Sequence, residues 1–430
     1  MTEAGAILLA VFAAGLVLGI PIAVAIAIAS LTVVAVQQLP LVLLAHQMLN
    51  SAQSYTLIAI PGFMLLGSLM SRAGLVNRLI AFSMALVGWI RGGLSHVTVV
   101  ACMIFAGISG SGTADTAAVG SVMIPSLKKN GYGASLAGAM TAAGGSIGII
   151  IPPSIPMIVY GLSSNTSIPQ LFFSGYVPGV LLTIGFLGYL YIVATREKLG
   201  ILQPFQASEL LRTFFESFWA LLAPIVIVGG IVFGIVTPTE SGIIGVVYVL
   251  FLGFVVYRDL KVSDLFPAIL EAMVLTGVVM FMLTTSALFG WILARENVPD
   301  ALVIALLSIT DNKIIILLAL NLLLLILGML MDTIAIIVIL TPVLVPVAAA
   351  LGMDPVHFGL MFVFNLAIGL ITPPVGYCLF VASAIAGVPM EAMSRAIVPF
   401  VIIAIGVLLL VTYVEDIALL PRHLTALMAR

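Results

Sequence analysis

Charged residues are what this sequence most lacks. Only 7% of its 430 residues are charged, whereas 63% are hydrophobic and the mean hydropathy is +1.33. Soluble domains carry about 25% charged residues, so these values exclude a soluble protein and predict an integral membrane protein. Residues 4–71 and 130–195 contain no Asp, Glu, Lys or Arg. Each interval is long enough for two or more crossings of about 20 residues, so we expect a polytopic chain.

Residues that bind metals or nucleic acids are also scarce. The only two cysteines, Cys102 and Cys378, lie in apolar stretches and are interpreted as packing residues rather than a disulfide. A net charge of −2 predicts no nucleic-acid partner. The four histidines lack the spacing of zinc ligands; they are His46, His96, His357 and His423.

The sequence lacks catalytic motifs in the structural setting that they require, so we predict that the protein is not an enzyme. No G-x-x-x-x-G-K-[ST] segment occurs, which argues against a Walker site for ATP. Residues 144–148 read GGSIG, but the strand, turn and helix of a nucleophile elbow are not predicted there. An intramembrane aspartyl protease using Asp115 and Asp332 is the enzymatic alternative, and the G-x-G-D setting of that class is missing.

An internal repeat is the most informative feature that is present. Segments 107–161 and 328–387 each contain an aspartate, a proline ten positions later, then a glycine, and a Pro-Pro pair that begins 21 positions after that glycine. The residues are Asp115, Pro125, Gly131 and Pro152 in the first segment and Asp332, Pro342, Gly352 and Pro373 in the second. Two matched spacings that end in a rare Pro-Pro pair predict a structural duplication.

The flanks of the repeats predict two re-entrant hairpins. Arg91 and Lys128-Lys129 enclose 36 residues, too many for one span and too few for two spans with a loop. Two half-length helices with both ends on one face fit this length, and the basic flanks place that face in the cytoplasm. The second hairpin lies between Asp311-Asn312-Lys313 and Asp354, which are not net basic. We therefore expect inverted repeats, the architecture of secondary transporters.

Each repeat also contains a predicted break in a helix. Residues 144–154 (GGSIGIIIPPS) and 365–376 (NLAIGLITPPVG) contain proline pairs that cannot continue a helix. A broken helix exposes carbonyls that suit a cation and an N-terminus that suits an anion. The first hairpin tip is rich in poor helix formers that would free further carbonyls; they are Gly107, Ser109, Gly110, Ser111, Gly112 and Thr113.

Three acidic residues interrupt apolar runs. An ionised carboxylate costs at least about 2.5 kcal/mol at the bilayer centre, so Asp115 and Asp332 each require a cation, a helix N-terminus or protonation. For both, capping of a helix and direct ligation of an ion stay open as alternatives. Glu240, in the segment VTPTES, is interpreted as an N-terminal cap of the helix that follows Pro238.

These segments together resemble the large membrane subunit of TRAP (tripartite ATP-independent periplasmic) transporters. The similar blocks are GISGSGTADTAAVGSVMIPSLKKNGY, IPPSIPMIVYG, GIVTPTES, GMLMDTIAIIVILTPVLVPVAAALGMDPVHFG and NLAIGLITPPVGYCLF. The resemblance implies an all-α, elevator-type importer in the bacterial inner membrane, with two re-entrant hairpins and two discontinuous helices. It also implies sodium as the coupling ion, no other cofactor, and a carboxylate substrate such as a dicarboxylate or sialic acid.

The resemblance further implies particular site residues. One sodium site would involve Ser109, Ser111, Gly145, Gly148 and Pro152, and a second Gly328, Asp332, Asn365, Thr372 and Pro374. The substrate carboxylate would lie near Gly110, Ser146, Ser154 and Gly369. Asp115 and Glu240 are expected to be structural or ion-linked carboxylates.

The expected organisation and partners follow from the same resemblance. The predicted segments are scaffold helices (1–85), the first transport repeat (86–165), connecting and scaffold helices (166–300), the second transport repeat (301–390) and a C-terminal helix (391–430). A separate four-helix small membrane subunit and a soluble periplasmic binding protein are the expected partners. A related carboxylate transporter that needs no binding protein is the alternative.

Overall fold

The computed structural model describes residues 2–53, 55–197, 204–310 and 312–420, and all its regular elements within these ranges are helical. This confirms the predicted all-α class. Asp311, His423 and the last ten positions of the predicted C-terminal helix lie outside the described residues.

The first ten α-helices cover the N-terminal part and the first repeat. They are α1 (Glu3–Val17), α2 (Ile22–Val36), α3 (Leu41–Ala52), α4 (Ala59–Arg72), α5 (Leu75–Val87), α6 (Gly93–Ser109), α7 (Gly112–Lys129), α8 (Ala134–Ser146), α9 (Ile155–Ser164) and α10 (Ile168–Glu197). Short 3-10 helices precede α4 (Tyr55–Ile58) and follow α8 (Ile147–Ile149).

The next ten α-helices cover the connecting segment, the second repeat and the C-terminal part. They are α11 (Ala207–Pro224), α12 (Gly230–Val232), α13 (Pro238–Phe251), α14 (Val262–Arg295), α15 (Val298–Ile309), α16 (Lys313–Leu330), α17 (Thr333–Ala350), α18 (Pro355–Gly369), α19 (Tyr377–Ala386) and α20 (Met390–Tyr413). A π-helical turn (Ile225–Gly229) joins α11 to α12, and a second one (Leu252–Val256) extends α13.

The surface of the molecule is apolar, as membrane insertion requires. Eight helical segments within the described ranges are long and apolar enough to cross a bilayer. The longest helix, α14, exposes Val262 (75%), Phe266 (73%) and Met273 (66%), which suits contact with lipid. The chain is a multi-pass membrane protein.

The two repeats correspond along the sequence with one constant offset. We call Gly93–Ser164 repeat one and Lys313–Ala386 repeat two. The separation in sequence is the same for the ends of α6 and α16, for the starts of α7 and α17, and for the starts of α8 and α18. The pairs Pro125/Pro346, Gly131/Gly352 and Pro152/Pro373 share that offset.

This register corrects the predicted equivalence of Asp115 and Asp332. Asp332 is the N-cap of α17, and the equivalent position in repeat one is Ser111, the N-cap of α7. Asp115 corresponds instead to Ile336 in repeat two. The matched ten-residue spacings were misleading because α17 contains two prolines four residues apart, Pro342 and Pro346, and one helical turn separates the two registers.

Each repeat begins with a helical hairpin. The arms α6 and α7 contain 17 and 18 residues, and α16 and α17 contain 18 each. At 1.5 Å per residue each arm is about 26 Å long. Each arm therefore approaches the thickness of the hydrocarbon core, about 30 Å, and is longer than the half-length helix that was predicted; the re-entrant course of the hairpins stays a prediction.

The bases of the two hairpins lie on opposite faces of the molecule. Lys128 Nζ, at the end of α7, donates a hydrogen bond to the carbonyl of Ala386 (2.9 Å), shortly before α20 begins. Tyr413, the last residue of α20, donates through its hydroxyl to the carbonyl of Ile314 at the start of α16 (2.9 Å). The 24-residue α20 is about 36 Å long, so the repeats are inverted.

Repeat two packs against α14 around a proline. Pro342 has no amide hydrogen to donate to the carbonyl of Val338, one turn earlier. Ser286 of α14 supplies the donor instead, through its hydroxyl, at 2.5 Å. One turn further along α14, Gly290 lies against the ring of Pro342, where an added Cβ would be 3.1 Å from the proline side chain. This contact joins a helix outside the repeats to the second hairpin.

We expect Ser286→Ala to destabilise the protein by about 1–2 kcal/mol, because the buried Val338 carbonyl loses its donor. Ser121→Ala is the matched control, since Ser121 is exposed and donates only to Ala118 within its own helix. Thermal unfolding of the purified chain in detergent measures both. Equal melting temperatures for the two variants would contradict the role assigned to Ser286.

Candidate functional site

A cavity of about 220 Å³ lies between the tips of the two hairpins. Repeat one contributes the tip and the start of α7 together with residues on both sides of the first helix break, and repeat two contributes the start of α17 and both sides of the second break. Met64 of α4 and Leu275 of α14 form an apolar wall. The polar lining residues include Ser111, Thr113, Asp332, Thr333 and Tyr377.

Four helices begin at this cavity. Its lining includes Gly112 at the start of α7, Ile155 at the start of α9, Thr333 at the start of α17 and Tyr377 at the start of α19. Helix N-termini carry free amide groups and a partial positive charge. Convergence of four such ends makes the cavity suited to an anionic group.

The tip of the first hairpin is fixed to the first broken helix. Gly110 adopts a left-handed conformation (φ +67°), and its carbonyl accepts a hydrogen bond from the amide of Ile155 (3.3 Å). An added Cβ at Gly110 would lie 2.5 Å from the carbonyl oxygen of Pro153. Both the turn and the close approach require glycine at this position.

Asp115 is buried directly behind this tip. Its side chain is fully buried, its Oδ1 accepts a hydrogen bond from the Ser109 hydroxyl, and Ser109 Oγ accepts one from the Ser111 amide (3.2 Å). Asp115 Oδ2 has no partner among the described residues and lies against Gly148. Ser111, not Asp115, is the N-cap of α7, so the capping alternative for Asp115 is wrong.

Two other predicted residues of repeat one lie in α8 and in the break that follows it. Gly145 of α8 lies against Thr116 and the Gly112 carbonyl. The break between α8 and α9 contains Pro152, which is joined to Pro153 by a cis peptide bond. The structure thus brings Ser109 and Gly148 to the Asp115 carboxylate, while Gly145 packs against the neighbouring turn of α7.

Repeat two has the same order of helices and break, with different contacts at its tip. Gly328 of α16 and Gly369 at the end of α18 touch through their backbones, and a Cβ at Gly369 would lie 2.5 Å from the Gly328 carbonyl oxygen. Asp332 caps α17 by accepting hydrogen bonds from the amides of Ile334 (3.0 Å) and Ala335 (3.4 Å). The Asp332 carboxylate is also exposed to the cavity.

Asn365 is the buried polar residue of this repeat. It is fully buried in α18, and its Oδ1 has no partner among the described residues. Thr372 lies in the following break and donates through its hydroxyl to the carbonyl of Ile368 (2.6 Å). Pro374 is joined to Pro373 by a cis peptide bond.

The predicted substrate residues do not all line the cavity. Gly110 does, but Ser146, Ser154 and Gly369 are not part of the lining. The Ser146 hydroxyl donates to the carbonyl of Ala143 (2.8 Å), and the Ser154 hydroxyl donates to that of Ile149 (2.6 Å) while Ser154 caps α9. Local backbone groups therefore bind both hydroxyls. Ser111 and Asp332, predicted as sodium ligands, line the cavity instead.

Glu240 lies away from this cavity and has the geometry of a cap. The Thr237 hydroxyl accepts from the Glu240 amide (3.3 Å), and the Glu240 carboxylate accepts from the Thr237 amide (2.7 Å). This reciprocal pair is a capping box at the start of α13.

Sequence reasoning missed two polar residues behind repeat two. Asn321 of α16 and Thr412 of α20 are both buried and hydrogen-bonded to each other. Asn321 is the only polar residue between Ile314 and Leu330. A lone amide in so long an apolar run was a signal that could have identified it.

Comparison with known families identifies the chain. The profile described as "Tripartite ATP-independent periplasmic transporter, DctM component" matches residues 9–417. The chain belongs to the DctM family. This confirms the family and the inner-membrane location that the sequence motifs implied, and the names of the related proteins below are those of transporter permeases.

Curated relatives with different named substrates show similar identity. The chain is 39% identical to the sialic acid TRAP transporter large permease protein SiaM of Vibrio cholerae, over 88% of this chain and 89% of that protein. It is 40% identical to the C4-dicarboxylate TRAP transporter large permease protein DctM of Pseudomonas aeruginosa, over 89% and 90%. It is also 40% identical to the isethionate TRAP transporter permease protein DctMQ of Oleidesulfovibrio alaskensis, over 96% of this chain. The chain spans 65% of the length of DctMQ.

Solved structures share the fold at low sequence identity. The YdaH transporter of Alcanivorax borkumensis superposes with a TM-score of 0.61 at 15% identity, over 86% of both chains. MtrF of Neisseria gonorrhoeae superposes with a TM-score of 0.59 at 14% identity, over 86% of this chain and 83% of MtrF. At these identities the likeness establishes the fold of this DctM family member and nothing further.

We expect Gly369→Ala to destabilise the second repeat by about 1–3 kcal/mol, because the new methyl group overpacks the contact with the Gly328 backbone. Gly406→Ala in α20 is the matched control, since an added Cβ there meets nothing within 4 Å. Thermal unfolding in detergent compares the two. If Gly369→Ala melts at or above the temperature of Gly406→Ala, the close contact between α16 and α18 contributes little to stability.

Proposed function

We propose that this chain is the membrane permease of a sodium-coupled importer for an organic acid that a periplasmic binding protein delivers. The observation that carries the proposal is the cavity at which four helix N-termini meet, with two buried oxygen atoms lacking hydrogen-bond donors among the described residues behind it. The first feature suits an anion, and the second suits a cation with oxygen ligands. A site with both features can bind an acid together with its coupling ion.

The buried oxygen atoms support sodium in particular. Asp115 Oδ2 lies in repeat one and Asn365 Oδ1 in repeat two; the amide oxygen only accepts, and so does the carboxylate oxygen in its ionised form. Sodium prefers oxygen ligands, and the ends of α6, α8, α16 and α18 supply carbonyl oxygens nearby. The groups that would hold the ions are Ser109, Ser111, Asp115, Gly145, Gly148 and Pro152 in repeat one and Gly328, Asp332, Asn365, Thr372 and Pro374 in repeat two.

Asp332 supplies an electrostatic reason for coupling. Its carboxylate lines the same cavity as the helix N-termini, so it would repel an incoming carboxylate. A cation bound beside Asp332 removes that repulsion. Substrate binding would therefore depend on sodium binding, which is the thermodynamic requirement of a symporter.

The repeats are proposed to move as one body against the outer helices. Met64 and Leu275 form the apolar wall that the outer helices α4 and α14 contribute to the cavity, so movement past this wall breaks no polar contact at the cavity itself. The hydrogen bond from Ser286 of α14 to the Val338 carbonyl of α17 would have to break in such a movement, whereas a cavity of about 430 Å³ already separates Glu271 of α14 from Ala117 and Ser121 of α7. By the positive-inside rule the base of the first hairpin, with Arg91 and Lys128, is cytoplasmic.

The substrate class follows from the cavity and from the relatives. Sialic acid, C4-dicarboxylates and isethionate in the relatives' names are organic acids, and the cavity offers a place for one acidic group. We propose the same class here. A small membrane subunit of four helices and a periplasmic binding protein are the proposed partners, the latter deciding which acid is delivered.

Uptake into proteoliposomes tests the proposal. The chain is reconstituted with its small subunit, a cognate binding protein loaded with labelled acid is added outside, and sodium gradients are imposed or abolished. We expect uptake only with an inward sodium gradient and with the binding protein present. Uptake that is unaffected by sodium would refute the coupling, and equal uptake of free acid would refute delivery by the binding protein.

We expect Asp332→Asn to raise the sodium concentration for half-maximal uptake by about tenfold or more, since loss of about 1.4 kcal/mol of attraction changes affinity tenfold. Asn caps helices as well as Asp does, so folding is retained. Asp354→Asn is the matched control, because Asp354 caps α18 outside the cavity. If the two variants show the same sodium dependence as the unaltered protein, Asp332 acts as a cap alone.

A further inference from the structure

Three buried polar side chains from different helices form a continuous hydrogen-bonded chain behind repeat two. Thr412 of α20 is 2% exposed, Asn321 of α16 is 2% exposed, and Asn365 of α18 is fully buried. Asn321 Nδ2 donates to Thr412 Oγ1 (3.1 Å), and Asn365 Nδ2 donates to Asn321 Oδ1 (2.7 Å). These hydrogen bonds connect the C-terminal helix α20 to the first arm of the second hairpin, α16, and that arm to the broken helix α18.

A backbone carbonyl fixes the direction of this chain. Asn365 Nδ2 also donates to the carbonyl oxygen of Met361 (2.8 Å), which can only accept. Exchanging the nitrogen and oxygen of the Asn365 amide would place its oxygen against the oxygen of Met361. Asn365 must therefore present its nitrogen to Asn321, which must present its oxygen in return and direct its own nitrogen to Thr412.

One atom remains after these bonds are made. Both amide hydrogens of Asn365 are used, and its Oδ1 is buried without a donor among the described residues. The close contact of Gly328 with Gly369 lies one turn further along α18, followed by the hairpin tip at Asp332. A buried acceptor held in one orientation beside two helix ends is suited to a cation.

We infer that Asn321 and Thr412 are positioning residues that hold Asn365 so that its side-chain oxygen faces a bound cation. The inference rests on the proposed sodium coupling and extends it to residues that do not touch the ion themselves. Partners of this kind orient ligands and tune affinity in metal sites generally. Here they also tie α16 and α20 to the ion ligand on α18.

Repeat one lacks this arrangement, which argues for a specific role. At the constant offset between the repeats, the positions equivalent to Asn321 and Asn365 are Val100 and Gly144. In repeat one the carboxylate oxygen without a donor among the described residues is Asp115 Oδ2, and an ionised carboxylate needs no amide partner to be an acceptor. An amide has one donor side and one acceptor side, so only the asparagine of repeat two requires neighbours that fix which side faces the ion.

The simpler explanation is that the three side chains only join helices inside the membrane, as buried polar residues often do. Both explanations predict lower stability of the protein when a hydrogen bond between these three side chains is removed. They differ in sodium binding, since a purely structural link would leave the affinity for sodium unchanged.

Sodium-dependent stabilisation of the purified chain in detergent separates the two explanations. Melting temperatures are measured as sodium chloride replaces choline chloride at constant ionic strength, for the unaltered protein and for Thr412→Val and Asn321→Leu. We expect both variants to require on the order of tenfold more sodium for half of the maximal shift. Thr412→Ser, which keeps the accepting hydroxyl, should restore the original dependence.

Thr183→Val provides the control for loss of a buried threonine hydroxyl. Thr183 of α10 is buried and donates only to Gly179 within its own helix, so this variant should keep the sodium dependence of the unaltered protein. The inference is overturned if Thr412→Val has the same half-maximal sodium concentration as Thr183→Val. If Asn321→Leu does not fold, the comparison of Thr412→Val with Thr412→Ser decides alone.

The proposed function and this inference fail in different ways. If the unaltered protein is stabilised equally by sodium and choline, the proposal that this chain binds sodium is refuted, and the positioning role is refuted with it. If the unaltered protein responds to sodium and the variants respond identically, only the positioning role is refuted.

Discussion

A helix that stops inside a bilayer leaves backbone groups that water cannot reach, and other parts of the protein or a ligand must bind them. The centre of this molecule is organised by that constraint. Caps at Ser111, Ser154 and Asp332 bind some of the free amides, and the Gly110 carbonyl accepts from Ile155 across two elements. The helix ends that remain converge on one small cavity, so the interruptions that cost hydrogen bonds also create the candidate site.

The two repeats share the order and spacing of their helices and prolines, but their polar side chains differ. The two repeats keep one constant offset through hairpins, breaks and proline pairs. Their charged groups differ by one helical turn, since Asp115 is buried behind its tip and Asp332 caps the second arm at the cavity. The equivalent backbone positions therefore surround two electrostatically different sites.

Much of the fold could be predicted because its signals are local in sequence. Low charge, apolar runs and the Pro-Pro pairs predicted a helical membrane protein with an internal repeat and two broken helices, and the motif blocks predicted the DctM family. The register of the repeat was wrong at Asp115, because Pro342 and Pro346 offered two prolines one turn apart. Ser146 and Ser154 were assigned to the substrate from the resemblance, but carbonyls of their own segments bind their hydroxyls.

The sequence by itself determined where helices form and where they must break, because proline, glycine and apolar periodicity act on neighbouring residues. Only the tertiary structure decided which groups meet. Helices that begin in different halves of the chain face one cavity, and Asn321, Asn365 and Thr412 come from three separate helices. Whether a polar atom is bound or left free depends on distances between elements, and those distances are set by packing that local sequence does not specify.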